Sequence, residues 1–552
     1  MSARLIPSTP SAYEYPLLIK HLLHTPLVQA PEQEIVYRDL KRYNYRSLRS
    51  RIGQLSSGLA KLGIAPGDTV AMMDWDSHRY LECFFAVPMM GAVLQTVNFR
   101  LSPEQVLYTI NHAKPVVLLI NGEFLELFEL IKDKLETIKK VVLVTDERSS
   151  QQYSSMFAAE YEELLAAGSP DYPFPDFDEN TRATTFYTTG TTGQPKGVSF
   201  SHRQLVLHTL ALLAAFGMSA CQGRFHRDDV YMPITPMFHV HAWGLPFAAT
   251  AAGVKQVYAG RYAPESLLGL IKKEGVTFSH CVSTILHMLL ESPAAQDVDL
   301  SRWKVAIGGG PLSKGLAKAA LERGIDVFSG YGLSETCPLL TIAHVGTSVL
   351  GGDPDKEVSI RTKTGLAAPL VDLRIVDECM NDVPHDGKTM GEVVVRAPWL
   401  AQCYQNDAEG SERLWAGGYL HTNDIGIFDG EGYLQITDRI KDVIKTGGEW
   451  ISSVQLEDII SLHPAVSEVA VIGVSDPKWG ERPAALIVLK PNSARETRKE
   501  QIHAHVKEYS DRGVISSFAI PENIIFVDSL AKTSVGKMNK RVLREKYKDS
   551  VG

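Results

Sequence analysis

Tyr187-Thr-Thr-Gly-Thr-Thr-Gly-Gln-Pro-Lys-Gly-Val198 is the stretch whose reading decides this chain. Glycine lets a main chain approach a ligand closely and takes backbone angles that side chains forbid. Threonine hydroxyls and successive backbone N–H groups suit a concave anion nest. Lys196 adds a point charge able to reach a phosphate oxygen. The stretch before it, Ala183 to Tyr187, reads as a strand, and Ser201 reads as a helix cap. A phosphate-binding loop between a strand and a helix is therefore expected. It is not the Walker pattern, which needs a hydroxyl residue directly after the lysine; here Gly197 follows. A bare Gly/Thr turn is often only a connector, so the rest of the chain has to decide.

Working outward, 552 residues suggest three or four units at about 150 residues each. With 44% hydrophobic and 22% charged residues the chain can bury large cores. A net charge of -8 argues against a nucleic-acid surface, while a local basic pocket for an anion stays possible. The six cysteines form no C-x-x-C pair, which argues against zinc and for reduced thiols in the cytoplasm. No secretory leader is read at the start, and no apolar run reaches the length of a transmembrane helix.

Before the loop the chain alternates helix and strand. Leu48, Ile52, Leu55, Leu59 and Leu62 form the stripe of an amphipathic helix, ended by Gly63 and Pro66. Strands are expected at 69–73, 92–97, 116–120 and 141–144, with a helix over 79–90. Ser102-Pro103-Glu104-Gln105 opens another helix, with Gln105 placed to close a capping box. Repeated βα units imply a mainly parallel sheet covered on both faces. A connector is expected over 171–178 and a helix over 203–216. Residues 371–395 alternate apolar and polar, as antiparallel strands of a small β subdomain do. The last 110 or so residues read as a small α+β domain with a helix over 454–462, strands over 466–474 and 484–489, and a charged helix over 495–509.

Other stretches carry chemistry. Val305-Ala-Ile-Gly-Gly-Gly-Pro311 runs from a strand into a turn against which a flat ring can lie. In Ser329-Gly-Tyr-Gly-Leu-Ser-Glu-Thr336, taken to follow a strand, Tyr331 can stack on a base and Glu335 offers a hard oxygen to magnesium. In Gly418-Tyr-Leu-His-Thr-Asn-Asp424 the aspartate, read as following a strand, suits the hydroxyls of a ribose. Asn423 tolerates left-handed angles. Arg439 can reach ribose or phosphate. His239 and His241, in Met232-Pro-Ile-Thr-Pro-Met-Phe-His-Val-His-Ala-Trp-Gly244, lack a third metal ligand and read as aromatic pocket lining.

Taken together, these strings resemble, in order, the motifs of the adenylate-forming superfamily of acyl-CoA synthetases, luciferases and peptide-synthetase adenylation domains. Asn423, His421 and Ala531 depart from its pattern, standing for a usual Gly, Arg and Pro. The resemblance covers nearly the whole chain and looks closest to bacterial medium- or long-chain fatty acyl-CoA synthetases. It implies an N-terminal adenylation domain over 1–439, made of two doubly wound βα subdomains and a small β subdomain. A small mobile domain would follow over 440–552, with Lys441 as hinge. It implies ATP phosphates on Thr189, Gly190, Thr191, Thr192, Gly193 and Lys196, and Mg2+ on Thr188 and Glu335. Adenine would lie by Gly309, Gly310, Pro311, Gly330, Tyr331, Gly332 and Ser334. Ribose would meet Asp424, ribose or phosphate Arg439, and Ile436 and Lys445 would also belong to the cofactor-binding residues.

Coenzyme A would pass Gly447, Gly448, Glu449 and Trp450. The resemblance places an aliphatic acid among Phe238, Val240, Trp243 and Val282. Trp243 sits where related long-chain enzymes carry a tunnel-closing Trp, or it is a plain core aromatic. His239 and Lys537, in Leu530-Ala-Lys-Thr-Ser-Val-Gly-Lys537, count with Glu335 and Thr188 as catalytic. The implied reaction is attack of a carboxylate on ATP to give acyl-AMP and pyrophosphate, then transfer to CoA, in fatty acid metabolism and in a homodimer. A ligase for 3-methylthiopropionate and a non-catalytic nucleotide or acyl sensor are the alternatives.

Overall fold

The computed structural model describes residues 6–146, 156–188, 194–220, 223–446, 449–491, 497–532 and 538–547, with 449 and 450 as backbone only. In the seven-stranded sheet, Thr69–Met73 pairs in parallel with Val93–Thr96 and Val117–Asn121. At its edge Arg182–Thr188 turns back antiparallel as Lys196–Ser201. The loop therefore joins the two strands of a hairpin; the helix lies where it is expected, as His202–Gly217, and the strand Lys196–Ser201 between loop and helix is the element the reading lacks. The reason lies in period 2: Val198 and Phe200 are buried, while the Ser199 hydroxyl meets that of Thr185 at 2.9 Å. Ser201 caps the helix as read, and Gln204 closes its capping box. At Pro103–Ala113 only half the expected box forms: Ser102 accepts from the Gln105 N–H.

The second sheet has nine strands. Val230–Pro233, Lys255–Tyr258, Phe278–Cys281, Lys304–Ile307 and Asp326–Gly332 run parallel at its centre. Leu339–Ile342 folds back antiparallel on the last of them. At the far edge an amino-terminal hairpin, Glu34–Tyr37 and Lys41–Asn44, docks beside Lys255–Tyr258. The pattern reading found no strand there, because two four-residue strands are too short for a clear periodicity.

Between the sheets lies His78–Met89, in which every residue is buried. Its Glu82 is held by Arg51 at 2.7 Å and its Arg79 by Asp146 at 2.6 Å, so the buried charges are paired. It packs against Tyr45–Lys61, whose stripe of Leu48, Ile52, Leu55 and Leu59 is fully buried as the spacing predicts. A four-stranded antiparallel sheet follows: Asp372–Val376, Gly391–Arg396, Leu420–Phe428 and Leu434–Arg439. From Ile444–Thr446 onward the strands join a separate five-stranded sheet with the helices Ser453–Ser461, Lys499–Asp511 and Lys540–Tyr547. The whole is an α/β protein with a large amino-terminal part and a small α+β carboxy-terminal part. Among the described residues no helix is long and apolar enough to cross a membrane.

Candidate active site

A cavity partly open to solvent lies on one face of the nine-stranded sheet. Phe328, Gly330 and Gly332 alternate along one strand and all line it. Leu212 and Phe216 of His202–Gly217 close the opposite side. Glycine is required at 332, where a Cβ would stand 1.5 Å from the Pro338 carbonyl oxygen. Tyr331 lies within this strand, not after it, because Gly330–Gly332 pair onward with Leu339–Ile342.

Of the residues expected at the acid, Val240 and Trp243 line the cavity, and His239 joins them. Phe238 and Val282 are not among its lining residues. Phe238 turns edge-on to Phe99 at 5.1 Å, and its carbonyl accepts from the Thr96 hydroxyl at 2.8 Å. Val282 is buried where it caps the helix Ser283–Glu291. Just after Phe238 the chain makes a left-handed turn: φ is 49°, 54°, 47°, 59° and 72° from Val240 to Gly244. It aims Val240 and Trp243 at the cavity. The His241 ring is fully buried between Phe84, at 5.6 Å, and Phe186, at 5.4 Å. Burial holds that imidazole neutral, with its pKa lowered to about 3.

Beside the cavity mouth the Tyr331 hydroxyl donates to Asp424 at 2.7 Å, and Arg439 pairs with the other Asp424 oxygen at 3.2 Å. Burial, then the Asp424 charge, pushes the phenol well above its ordinary pKa. Asp424 lies inside Leu420–Phe428 rather than after it, since the strand continues past it to Phe428. Asn423 does take the left-handed angle expected of it, φ 58°. His421 turns to Glu392, at 2.9 Å.

Around the phosphate hairpin, Thr188 sits opposite Lys196. The Lys196 ammonium lies 4.2 Å over the Tyr404 ring and 3.2 Å from Asp407. The Tyr404 hydroxyl donates to Glu335 at 2.7 Å. The Ala401 N–H donates to the Glu335 carbonyl, and the Gln405 N–H to that of Gly197, both at 2.8 Å. The segment from 401 to 407 thus ties Glu335 to the hairpin. Hydrogen bonds from the Gly410 N–H and Lys196 hold the Asp407 carboxyl below its usual pKa. Burial and then Glu335 raise the Tyr404 phenol. The sequence reading missed Tyr404 and Asp407. Among the described residues no group of three or more His, Cys, Asp or Glu could hold a metal. The oxygens of Glu335 and Thr188 fit magnesium, which takes one or two protein oxygens and completes its shell with phosphates and water.

Other expected residues are spread around this centre. Gly309 and Ser334 line the cavity; Gly310 and Pro311 do not, though the Pro311 carbonyl accepts from Ser283 at 2.6 Å. Ile436 pairs with Gly426 in the four-stranded sheet. Lys445 is exposed, paired with Trp450 across the hairpin that carries Glu449. The Lys441 carbonyl accepts from Arg544 at 3.3 Å, and Arg544 also pairs with Asp442. Just before it, Asp438 accepts from the Ser453 N–H at 2.9 Å and hydroxyl at 2.6 Å. Thr189, Gly190, Thr191, Thr192, Gly193, Gly447, Gly448 and Lys537 lie outside the described residues, as do the side chains of Glu449 and Trp450.

Residues 24–405 match the family model of the AMP-binding enzymes, and residues 455–537 match that of the AMP-binding enzyme C-terminal domain. A long-chain-fatty-acid–CoA ligase of Thermus thermophilus is 40% identical over 94% of this chain and 94% of its own. A 3-methylmercaptopropionyl-CoA ligase of Ruegeria lacuscaerulensis is 37% identical over 97% of this chain and 98% of its own. A medium-chain-fatty-acid–CoA ligase of Ectopseudomonas oleovorans is 35% identical over 93% and 92%. Among solved structures, a fatty acyl CoA synthetase of Mycobacterium tuberculosis superposes with TM-score 0.71 at 26% identity, covering 97% of this chain and 99% of its own. An anthranilate CoA ligase bound to anthranoyl-AMP shares the fold, with TM-score 0.84 at 24% identity and coverage of 97% and 99%.

Proposed function

Because the chain belongs to the family of AMP-binding enzymes, we propose that it is an ATP-dependent fatty acid–CoA ligase. The observation that carries this is one of placement. An apolar cavity opens beside the Tyr331–Asp424–Arg439 cluster, and the strand bearing Tyr331 leads into Glu335, which is tied to the phosphate hairpin. Full-length relatives named as fatty-acid–CoA ligases support the same reading.

In this reading an aliphatic carboxylate lies with its chain in the cavity and its head near His239 and Gly332. It is already a nucleophile, so no general base is needed. The work of the protein is positioning and field. Asp424 and Arg439 hold the ribose side of ATP, and Tyr331 backs the base. Lys196 and the hairpin meet the phosphates, where Glu335 and Thr188 would hold the magnesium that offsets their charge. Attack at the α-phosphorus forms acyl-AMP and expels pyrophosphate, with Lys537 assigned by resemblance to the transferring group. The domain boundary is placed near Ile440, with Lys441 as the hinge that brings the 447–450 hairpin to the acyl adenylate. The CoA sulfur then attacks the mixed anhydride, giving acyl-CoA and AMP. A cytoplasmic homodimer is part of the proposal, and light scattering on the purified protein reads the mass.

ATP–pyrophosphate exchange over acids from acetate to palmitate, plus 3-methylthiopropionate, with and without CoA, tests the reading. Exchange on aliphatic acids and CoA-dependent thioester formation are expected. Exchange confined to 3-methylthiopropionate would favour the sulfur-acid ligase, which the 37% identical relative supports. ATP binding with no exchange on any acid would leave the sensor.

A further inference from the structure

We propose that Phe328 is the end stop for the acyl chain and that the protein prefers straight medium-chain acids, of about six to ten carbons. The inference rests on the ligase reading and names the substrate for the same site. Side chains at 328, 330 and 332 fall on one face of Asp326–Gly332, because strand residues two apart point the same way. Positions 330 and 332 are glycine, so the strand offers a bare groove until the first ring, Phe328. The row beside it is equally low: Gly308 lines the cavity just past the end of the next strand, and Ala306 within that strand stands in register with Phe328. Trp243 forms the side wall over Gly308, where a Cβ would meet its ring at 3.0 Å.

The stop cannot swing back. Phe328 is fully buried, and a Cβ on Gly223 behind it would stand 2.7 Å from its ring. The Gly223 N–H is itself fixed to Asp326 at 2.7 Å. Phe216 flanks the ring at 6.2 Å.

The distance then sets a length. From Gly332 at the mouth to Phe328, four residues at about 3.3 Å each span roughly 13 Å. An extended alkyl chain advances about 1.3 Å per carbon, so about ten carbons fill that span, fewer once the phenyl ring takes its share. The lining carries no charged side chain, so an acid with a second carboxylate would leave a buried charge unpaired.

The test is the position of the kcat/KM maximum along a ladder of straight acids from acetate to palmitate, for the wild type, Phe328→Ala and Gly330→Val. The wild-type maximum is expected at about six to ten carbons, with palmitate at least about tenfold lower. Phe328→Ala is expected to move the maximum about two to four carbons longer, and Gly330→Val to move it shorter. Opposite shifts separate a ruler from general damage, and Gly330→Val keeps the test alive if Phe328→Ala fails to fold. A wild-type maximum at palmitate, or a maximum that neither variant moves, overturns the assignment. Absence of exchange on every acid in the wild type would instead remove the ligase reading beneath it.

Discussion

Lys196 carries two partners before any nucleotide arrives: the face of Tyr404 and the carboxylate of Asp407. A phosphate must displace the second. The pair is more than a third exposed on both sides, so it contributes little, about 0.2–1 kcal/mol. Asp407→Asn is therefore expected to lower the KM for ATP about two- to fivefold in pyrophosphate exchange; an unchanged or higher KM would show that the contact does not compete. Tyr404 acts on the other side, fixing one Glu335 oxygen. A hydrogen bond to a charged group is worth about 1.5–3 kcal/mol, so Tyr404→Phe should raise the magnesium needed for half-maximal exchange about tenfold. An unshifted magnesium titration would reduce Tyr404 to packing. Glu335, Tyr331 and Asp424 were legible as residues because each sits in a string whose chemistry is local. Tyr404 and Asp407 were not, since their partners lie 69 and 211 positions away and nothing in Cys-Tyr-Gln-Asn-Asp407 marks the distance.

The left-handed turn from Val240 to Gly244 is the element that shapes the acid site. Each L-residue in that region costs roughly 1–2 kcal/mol, so the surroundings must hold it. They do so by burying Ala242 and the His241 ring, by packing His208 where a Cβ at Gly244 would come within 2.7 Å, and by anchoring the approach. The anchor is Asp76, which accepts from the Met237 N–H at 2.8 Å and from the Tyr262 hydroxyl. Burial raises the Asp76 carboxyl to about 7, against those two hydrogen bonds and the Arg100 charge. A folded pKa above the unfolded one means the native state keeps a proton that the unfolded chain has released. Stability is then expected to fall as pH rises from about 4 to 7 and to level off above that. Asp76→Asn should flatten this slope in melting temperatures taken from pH 5 to 8; an unaltered slope would assign it elsewhere. Helices were the legible elements, because stripes such as Leu48 to Leu59 and boxes such as Ser201–Gln204 are written in neighbouring residues. The turn was hidden, since no glycine precedes Gly244 within it to announce positive φ. The phosphate hairpin was read as a strand leading to a helix because its second strand, Lys-Gly-Val-Ser-Phe-Ser201, carries only two large apolar residues to mark it.

At the scale of the molecule, the carboxy-terminal part grips the hinge it is proposed to turn on. Ser453 holds Asp438, Lys540 bonds Ser453 and pairs with Glu457 at 2.7 Å, and Arg544 clasps Asp442 and the Lys441 carbonyl. Rotation about Lys441 must break the Ser453–Asp438 hydrogen bonds, which cross the boundary, while the Arg544 contacts tie residues 441 and 442 to the carboxy-terminal part. Arg544→Ala is expected to speed hydrogen exchange of the amides from 441 to 446 about two- to tenfold, in line with a partly exposed pair; unchanged exchange would mean the clasp does not restrain the hinge. The boundary expected near Ile440 rests on the resemblance, which puts the hinge at Lys441, and not on a change of pattern, since strands follow directly at Ile444–Thr446 and Glu449–Ile451. Sheet membership was not legible, because strand order in space is not order in the chain. The amino-terminal hairpin is the clearest case: Tyr37 pairs with Tyr258, across 221 positions. During synthesis at about 5–20 residues per second, that hairpin waits roughly 10–40 s for its partner strand to leave the ribosome. For that interval Val36, almost fully buried at the end among residues from Met232 onward, stays uncovered on a nascent chain. The nine-stranded sheet therefore cannot complete this edge until residue 258 has been made, whereas the seven-stranded sheet, built from residues 69–201, has all its strands well before then.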